Sequence, residues 1–183
     1  MILWLLYILL FSITVAGLSL FFWVFRLGVP PMPSSRGMRE SVVEEIRRYE
    51  NHGHVVDLGS GWGGLAARIA SAYPDRRVTG IELAPVPYLF SRLFYGRGRG
   101  NLTFRREDFR ELEPEDDTIY VAYLSPMAME SLRRRFETGL QRNIVLISAL
   151  FSVRPWGATR TVRARDMHRT NIHVYEIRRG GGP

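Results

Sequence analysis

The chain has 183 residues, 25 Lys+Arg against 18 Asp+Glu, a formal net charge of +7 and no cysteine. That length suits one domain with a small appendage, and 46% apolar with 23% charged residues excludes a mostly disordered chain. The lack of Cys excludes a disulfide framework, a thiolate metal site and a Cys nucleophile.

Met1 through Phe25 carries no charged side chain. At 1.5 Å per residue it would form roughly 37 Å of helix, more than the ~30 Å hydrocarbon core of a bilayer. Trp4, Tyr7 and Trp23 lie toward its ends, where aromatic belts form, and Arg26 closes it. A cleaved signal peptide would want a basic leader and a shorter apolar run. Residues 1–26 are therefore expected to be an uncleaved, single-pass transmembrane helix. Arg26, Arg36 and Arg39 follow it, so the positive-inside rule places the C-terminal domain in the cytoplasm. Leu27 to Ser35, with Pro30, Pro31 and Pro33, reads as an extended linker holding that domain near the bilayer. Every basic side chain is Arg; a GC-rich genome explains this more readily than fixed charges facing an anionic surface.

From Arg36 to Tyr49 the pattern is an amphipathic helix, with Val42, Val43, Ile46 and Tyr49 on one face. His54–Leu58 reads as a strand, followed by a glycine-rich turn and a helix over Leu65–Tyr73, which Pro74 and Asp75 break. Strands are predicted at Arg77–Leu83, Leu102–Arg105, Thr118–Leu124 and Asn143–Phe151. Helices are predicted at Pro85–Tyr95 and Pro126–Leu140. The remainder reads as a closing antiparallel hairpin. The domain then spans residues 36–178, and the Gly-rich tail 179–183 is expected to be disordered. Strands alternating with helices specify an α/β fold with a mostly parallel sheet.

Asp57-Leu58-Gly59-Ser60-Gly61-Trp62-Gly63 lies at the end of the first strand and opens a helix. Glycines let the backbone turn sharply and approach a ligand. A dinucleotide site is the obvious rival, but Asp57 sets an anion where a pyrophosphate would be repelled. That anion suits an ammonium group. Glu82, with Leu83 beside it, ends the next strand and is placed to accept ribose hydroxyls. Asp108 follows the third strand and can accept from an exocyclic amine, with Phe109 beside it to pack on a base. An amino-acid cation, a ribose and an adenine, in order along three strand ends, describe S-adenosylmethionine. The cofactor-binding candidates are thus Asp57, Gly59, Ser60, Gly61, Gly63, Glu82, Leu83, Asp108 and Phe109.

Asp57–Gly63, Glu82 and Asp108 resemble the first three motifs of class I S-adenosylmethionine-dependent methyltransferases, which implies a Rossmann-like fold. The series VVDLGSGWGG, GIELAPVPYLFSRL, FRREDFRE, IYVAYLSPMAMESL, VLISALFSVRPW and NIHVYEI is similar to one subgroup. That subgroup is the membrane-associated protein lysine methyltransferases of the ATP synthase c-subunit and adenine nucleotide translocase, with their prokaryotic relatives. The likeness covers about Pro30 to Ile177 and extends to an N-terminal hydrophobic segment and a proline-containing lead-in. It implies a membrane-protein substrate. The family turn usually reads G-S-G-D-G-R, where this chain has Trp62 and Gly64, and the lead-in usually carries P-T, where this chain has Pro33-Ser34.

The loop Tyr123-Leu124-Ser125-Pro126 sits where such enzymes line the acceptor channel. Tyr123 and Ser125 are the catalytic candidates, orienting an amine, with Phe151, Trp156 and Tyr175 as further walls. Ser125-Pro126 also fits a helix cap with Pro at the first position. The four histidines have no metal-like spacing, so no metal is expected, and the anchor argues against nucleic acid as partner. Three functions stay open: methylation of a membrane-protein lysine, methylation of a lipid headgroup or small amphiphile, and a tethered scaffold in which Trp62 fills the site.

Overall fold

The computed structural model describes residues 1–27, 33–137 and 143–177. Linker residues 28–32 with Pro30 and Pro31, the predicted helix end at Leu140 and the tail 178–183 lie outside them.

Among the described residues five α-helices and seven strands run in the order α1 (Ile2–Leu27), α2 (Arg36–Ile46), β1 (His54–Leu58), α3 (Gly64–Ala72), β2 (Arg77–Ile81), α4 (Pro85–Phe94), β3 (Leu102–Arg105), a one-turn 3₁₀ helix (Phe109–Glu111), β4 (Thr118–Ala122), α5 (Pro126–Glu137), β5 (Ile144–Ala149), β6 (Arg160–Arg163) and β7 (Asn171–Ile177). The strands form a single sheet in the order β3-β2-β1-β4-β5-β7-β6. The pairs β1–β2, β1–β4, β2–β3 and β4–β5 are parallel, while β7 lies antiparallel between β5 and β6. This is the expected α/β Rossmann-like sheet with its closing hairpin.

β4 and β5 are buried at every position, as near-continuous apolar strands covered on both faces must be. One core layer joins Val42 and Ile46 of α2, Leu65 and Ile69 of α3 and Val55 of β1. The other joins Leu58, Tyr120, Leu146 and Tyr175 to Met129, Leu132 and Phe136 of α5. α2 starts at Ser35, whose side chain accepts from the Met38 amide, an N-cap of the ordinary kind.

Strand order reverses between β1 and β4. The loops beyond their carboxyl ends line a cavity there, the usual ligand position in an open α/β sheet.

α1 is long and apolar enough to cross a membrane over Ile2–Phe25, by length and composition, with a mean hydropathy of 2.3. It does not stand clear of the domain. Its half-buried residues Ala16, Ser19, Leu20, Trp23 and Val24 fall on one face at helical spacing. Phe11, Ser12, Val15, Ala16 and Ser19 form a groove with Pro85 and Val86 at the start of α4.

Candidate functional site

The glycine turn is built on left-handed backbone. Gly59, Gly61 and Gly63 have φ of 68°, 52° and 83°, a region open to Gly at little cost. A Cβ on Gly63 would come within 2.6 Å of Ser91 Cβ and 2.8 Å of Phe104 Cζ, so close packing demands glycine there as well. Around Gly61 the reverse holds. Nothing stands within 4 Å of where its Cβ would be, so the turn presents bare backbone to open space.

Two buried carboxylates flank this turn. Asp57, in register with Gly80 of β2 and Val121 of β4, is 2% exposed. Its Oδ2 accepts from the Ala66 amide at 3.1 Å. Burial pushes its carboxyl up to about 7, with the neighbouring Glu82 charge adding to the effect. Glu82 is also buried, and burial raises it too, against the pull of the amides it accepts from. Its Oε2 accepts from Gly61 N at 2.9 Å and its Oε1 from Ala84 N at 2.7 Å. Glu82 thereby ties the tip of the turn to the start of α4. Each oxygen retains a second lone pair for an incoming hydroxyl. Ser60 Oγ is buried in the same turn with no partner among the described residues.

These groups line a cavity of about 530 Å³, well within the size range of small-ligand sites. Gly59, Leu83, Asp108, Phe109, Tyr123 and Ser125 border the same cavity. Asp108 caps the 3₁₀ helix by accepting from the Arg110 amide at 3.0 Å. The Arg110 guanidinium also grips both of its oxygens, through Nε at 2.8 and 2.9 Å. An exocyclic amine would share that carboxylate with Arg110. Ser125 Oγ accepts from the Ala128 amide at 3.2 Å, capping α5 ahead of Pro126. Its hydroxyl proton is left to donate. Gly63 lies behind the turn against Ser91 and Phe104, where it serves the backbone's shape.

Trp62 stands as a wall. Its ring packs edge-on against Phe90 of α4 at 5.2 Å, and the cavity stays open beside it. Phe151 borders the cavity as expected. Trp156 and Tyr175 do not. They pack together in the core layer beneath α5. Trp156 Nε1 donates to Glu137 at 3.3 Å, and Tyr175 Oη accepts from the Val153 amide at 2.8 Å. Their placement as channel walls is corrected accordingly: β7, which carries Tyr175, turns that side chain to the α5 layer.

Sequence reasoning missed two groups. Leu20, Trp23 and Val24 of α1 form part of the cavity wall, which a reading of α1 as a separate anchor hides. Arg39 of α2 also borders it, with Nη1 only 2.7 Å from where a Cβ on Gly64 would stand. The bare position in the turn was the available signal, since Gly64 leaves the room that the guanidinium occupies.

The site fits a ligand carrying a cation beside a ribose-like diol. The anions are in place, no cationic side chain pairs with Asp57 within the distance of an ion pair among the described residues, and Gly61 leaves room for close approach. Among those residues no group of three or more His, Asp or Glu could hold a metal.

The ANTKMT methyltransferase domain profile matches residues 57–160. No curated protein matches the chain. An RNA methyltransferase from Salinibacter ruber, solved with S-adenosyl-L-homocysteine, is similar in fold, with a TM-score of 0.68 and 23% identity, over 83% of this chain and 97% of that one. Magnesium protoporphyrin IX methyltransferase from Synechocystis PCC 6803, solved with bound SAH, aligns with a TM-score of 0.56 and 16% identity, over 76% of this chain and 81% of that one. The chain belongs to the ANTKMT methyltransferase domain family.

Proposed function

We propose that this family member is a membrane-anchored S-adenosylmethionine-dependent methyltransferase that methylates a lysine side chain of a membrane protein. One arrangement carries the activity: two buried carboxylates, Asp57 and Glu82, flank an open glycine turn inside a cavity that the apolar helix α1 helps to wall.

S-adenosylmethionine is the cofactor and supplies a methyl group activated on a sulfonium. Asp57 holds the amino-acid ammonium, and Glu82 accepts the ribose hydroxyls while its amide bonds fix its orientation. Arg39 answers the carboxylate. Asp108 and Phe109 border the adenine. Methyl transfer needs in-line positioning and a neutral amine. Tyr123 and Ser125 orient that amine from the loop after β4. The apolar wall of Leu124, Phe151 and Trp23 lowers the cost of losing the lysine charge, since desolvation disfavours an ammonium.

α1 anchors the chain as a single pass with its domain on the cytoplasmic side, confining enzyme and acceptor to one plane and raising their effective concentration. The chain contains no lysine of its own, so automethylation of a lysine side chain is excluded.

The test is methyl transfer from tritiated S-adenosylmethionine by the full chain in detergent, with membranes as acceptor and protein separated from lipid before counting. Label in a discrete protein band, lost in Asp57→Ala, is the expected result. Label in the lipid extract would assign a headgroup acceptor instead. No label and no cofactor binding would refute the activity.

A further inference from the structure

α4 is built inside out for a soluble helix. Its sequence PVPYLFSRLF holds one charge, Arg92, yet the side chains it buries fully are Pro87 and Ser91. Leu89, Leu93 and Phe94 are 51%, 50% and 68% exposed. With Val86 and Phe90 they form one stripe at helical spacing. An apolar stripe turned to water marks a surface meant to be covered.

Two observations identify the cover. The first is continuity with α1. The groove between α1 and α4 runs along Phe11–Ser19, within the apolar run Ile2–Phe25, so a bilayer that takes up α1 also reaches the first turn of α4. The second is charge. Arg92 is exposed on α4, and Arg97 and Arg99 follow in the next loop. An apolar face bordered by arginines suits an anionic bilayer interface.

We propose that the outer face of α4 is a second bilayer contact beside α1, which turns the mouth of the cavity onto an anionic membrane. This rests on the anchored reading of α1. Met127, 68% exposed at the start of α5, also borders the cavity and is assigned to the same surface. From the exposed stripe, Phe94 stacks on Phe90 at 4.4 Å, and Phe90 meets Trp62 of the glycine turn. The bilayer-facing stripe and the cofactor turn therefore share one aromatic cluster. An acceptor amine is then presented at the interface, and soluble amines are disfavoured by position alone.

The chain has no cysteine, which permits single labels without background. Full-length variants Leu89→Cys, Leu93→Cys, Phe94→Cys and Met127→Cys carry an environment-sensitive fluorophore in vesicles of phosphatidylcholine and phosphatidylglycerol. Ile8→Cys reports α1, and Asp75→Cys, in the turn before β2, reports water. Lipid spin-labelled along its acyl chain should quench the α4 labels severalfold more than the label at Asp75. Vesicles lacking phosphatidylglycerol should quench the α4 labels less and leave the label at Ile8 unchanged. If the Ile8 label lies in lipid while the α4 labels behave like the one at Asp75, the anchor stands and the second contact falls. If the Ile8 label also reports water, the anchored reading itself falls. Labels shielded from water yet untouched by spin-labelled lipid would assign the face to a protein partner and overturn the proposal. Equal quenching with and without phosphatidylglycerol would overturn the role of the arginines.

Discussion

Replacing Asp57 with asparagine should stabilise the ligand-free protein while abolishing its use of cofactor. Asp57 is 2% exposed and accepts a single amide hydrogen bond, from Ala66. Its carboxyl is pushed from 3.8 to about 7. Between those two values the folded chain holds a proton that the unfolded chain has released. Stability therefore falls as pH rises from about 4 to about 7, and stays low above that. A displacement of that size has a ceiling of about 4 kcal/mol. Water in the cavity that Asp57 borders takes back part of that, leaving roughly 2 kcal/mol. An asparagine keeps an oxygen for the Ala66 amide and carries no charge to desolvate. At pH 8 the Asp57→Asn variant should melt roughly 4–8 °C higher than the wild type, by the usual scaling for this chain length. At pH 4 the two should nearly coincide. Adding S-adenosylmethionine should raise the wild-type melting temperature at pH 8 and leave the variant unmoved. Thermal unfolding in detergent from pH 4 to 8, with and without cofactor, reads all of this. An Asp57→Asn variant less stable than wild type at pH 8, or one still stabilised by cofactor, would refute the account of Asp57 as a strained anion awaiting a cation.

The same ionisation governs binding. Because the cofactor cation selects the carboxylate, calorimetry should show affinity falling about tenfold per pH unit below about pH 7. Arg39→Gln should weaken cofactor binding about tenfold, the loss expected of one charged hydrogen bond, with little change in melting temperature in the ligand-free state. Gly64→Ala should act similarly, because its Cβ meets only the flexible end of Arg39, at 2.7 Å. Gly37→Ala should be far worse, since its Cβ would stand 2.1 Å from the Arg165 carbonyl oxygen. Backbone must move there, and urea denaturation should show a loss of several kcal/mol, on the order expected of overpacking. Arg160→Leu should cost roughly 1–3 kcal/mol by leaving the buried Glu45 carboxylate with Arg48 alone, at 3.5 Å; Glu45→Gln in the same background should recover part of it.

Most of the fold is legible in the sequence because its signals are local. The run His54–Leu58, the glycine turn and the Pro74-Asp75 break place β1 and α3 within a residue of where they lie. Leu102–Arg105 matches β3 end to end. Ends overshoot where an apolar pattern outlasts the hydrogen bonding. Thr118–Leu124 reads as strand, but pairing stops at Ala122, where the chain leaves the sheet to line the cavity. The helix predicted to Tyr49 ends at Ile46, and Tyr49 instead reaches Glu176 of β7 at 2.8 Å. That bond spans 127 positions, a distance at which local pattern carries no information. The 3₁₀ turn after Asp108 has no periodicity to betray it, although Asp followed by Arg at the second position is enough to close the pair.

The site is legible to a lesser depth for the same reason. Asp57 and Glu82 announce themselves because each ends a strand, and neighbouring parallel strands bring their ends together. Arg39 and Trp23 carry no such mark. They reach the cavity only because α2 and α1 pack across it, which is a property of the assembled core. α4 shows most sharply what pattern omits. The periodicity Val86, Leu89, Phe90, Leu93 and Phe94 predicts a helix, and a helix forms there. Periodicity gives the width of an apolar face and is silent on which way it points. In a soluble domain the bulk of such a stripe turns inward, because water is the only other choice. Beside an apolar helix with no fully buried residue among those described, the anchored reading supplies a second apolar medium, and the core and the bilayer compete for the same side chains. Pro87 and Ser91, small and able to sit close to the sheet, win the inward positions, which leaves the large residues for the outside. A chain that assembles its cofactor turn against that helix, through Trp62 and Phe90, makes the geometry of its site depend on the surface that covers the helix.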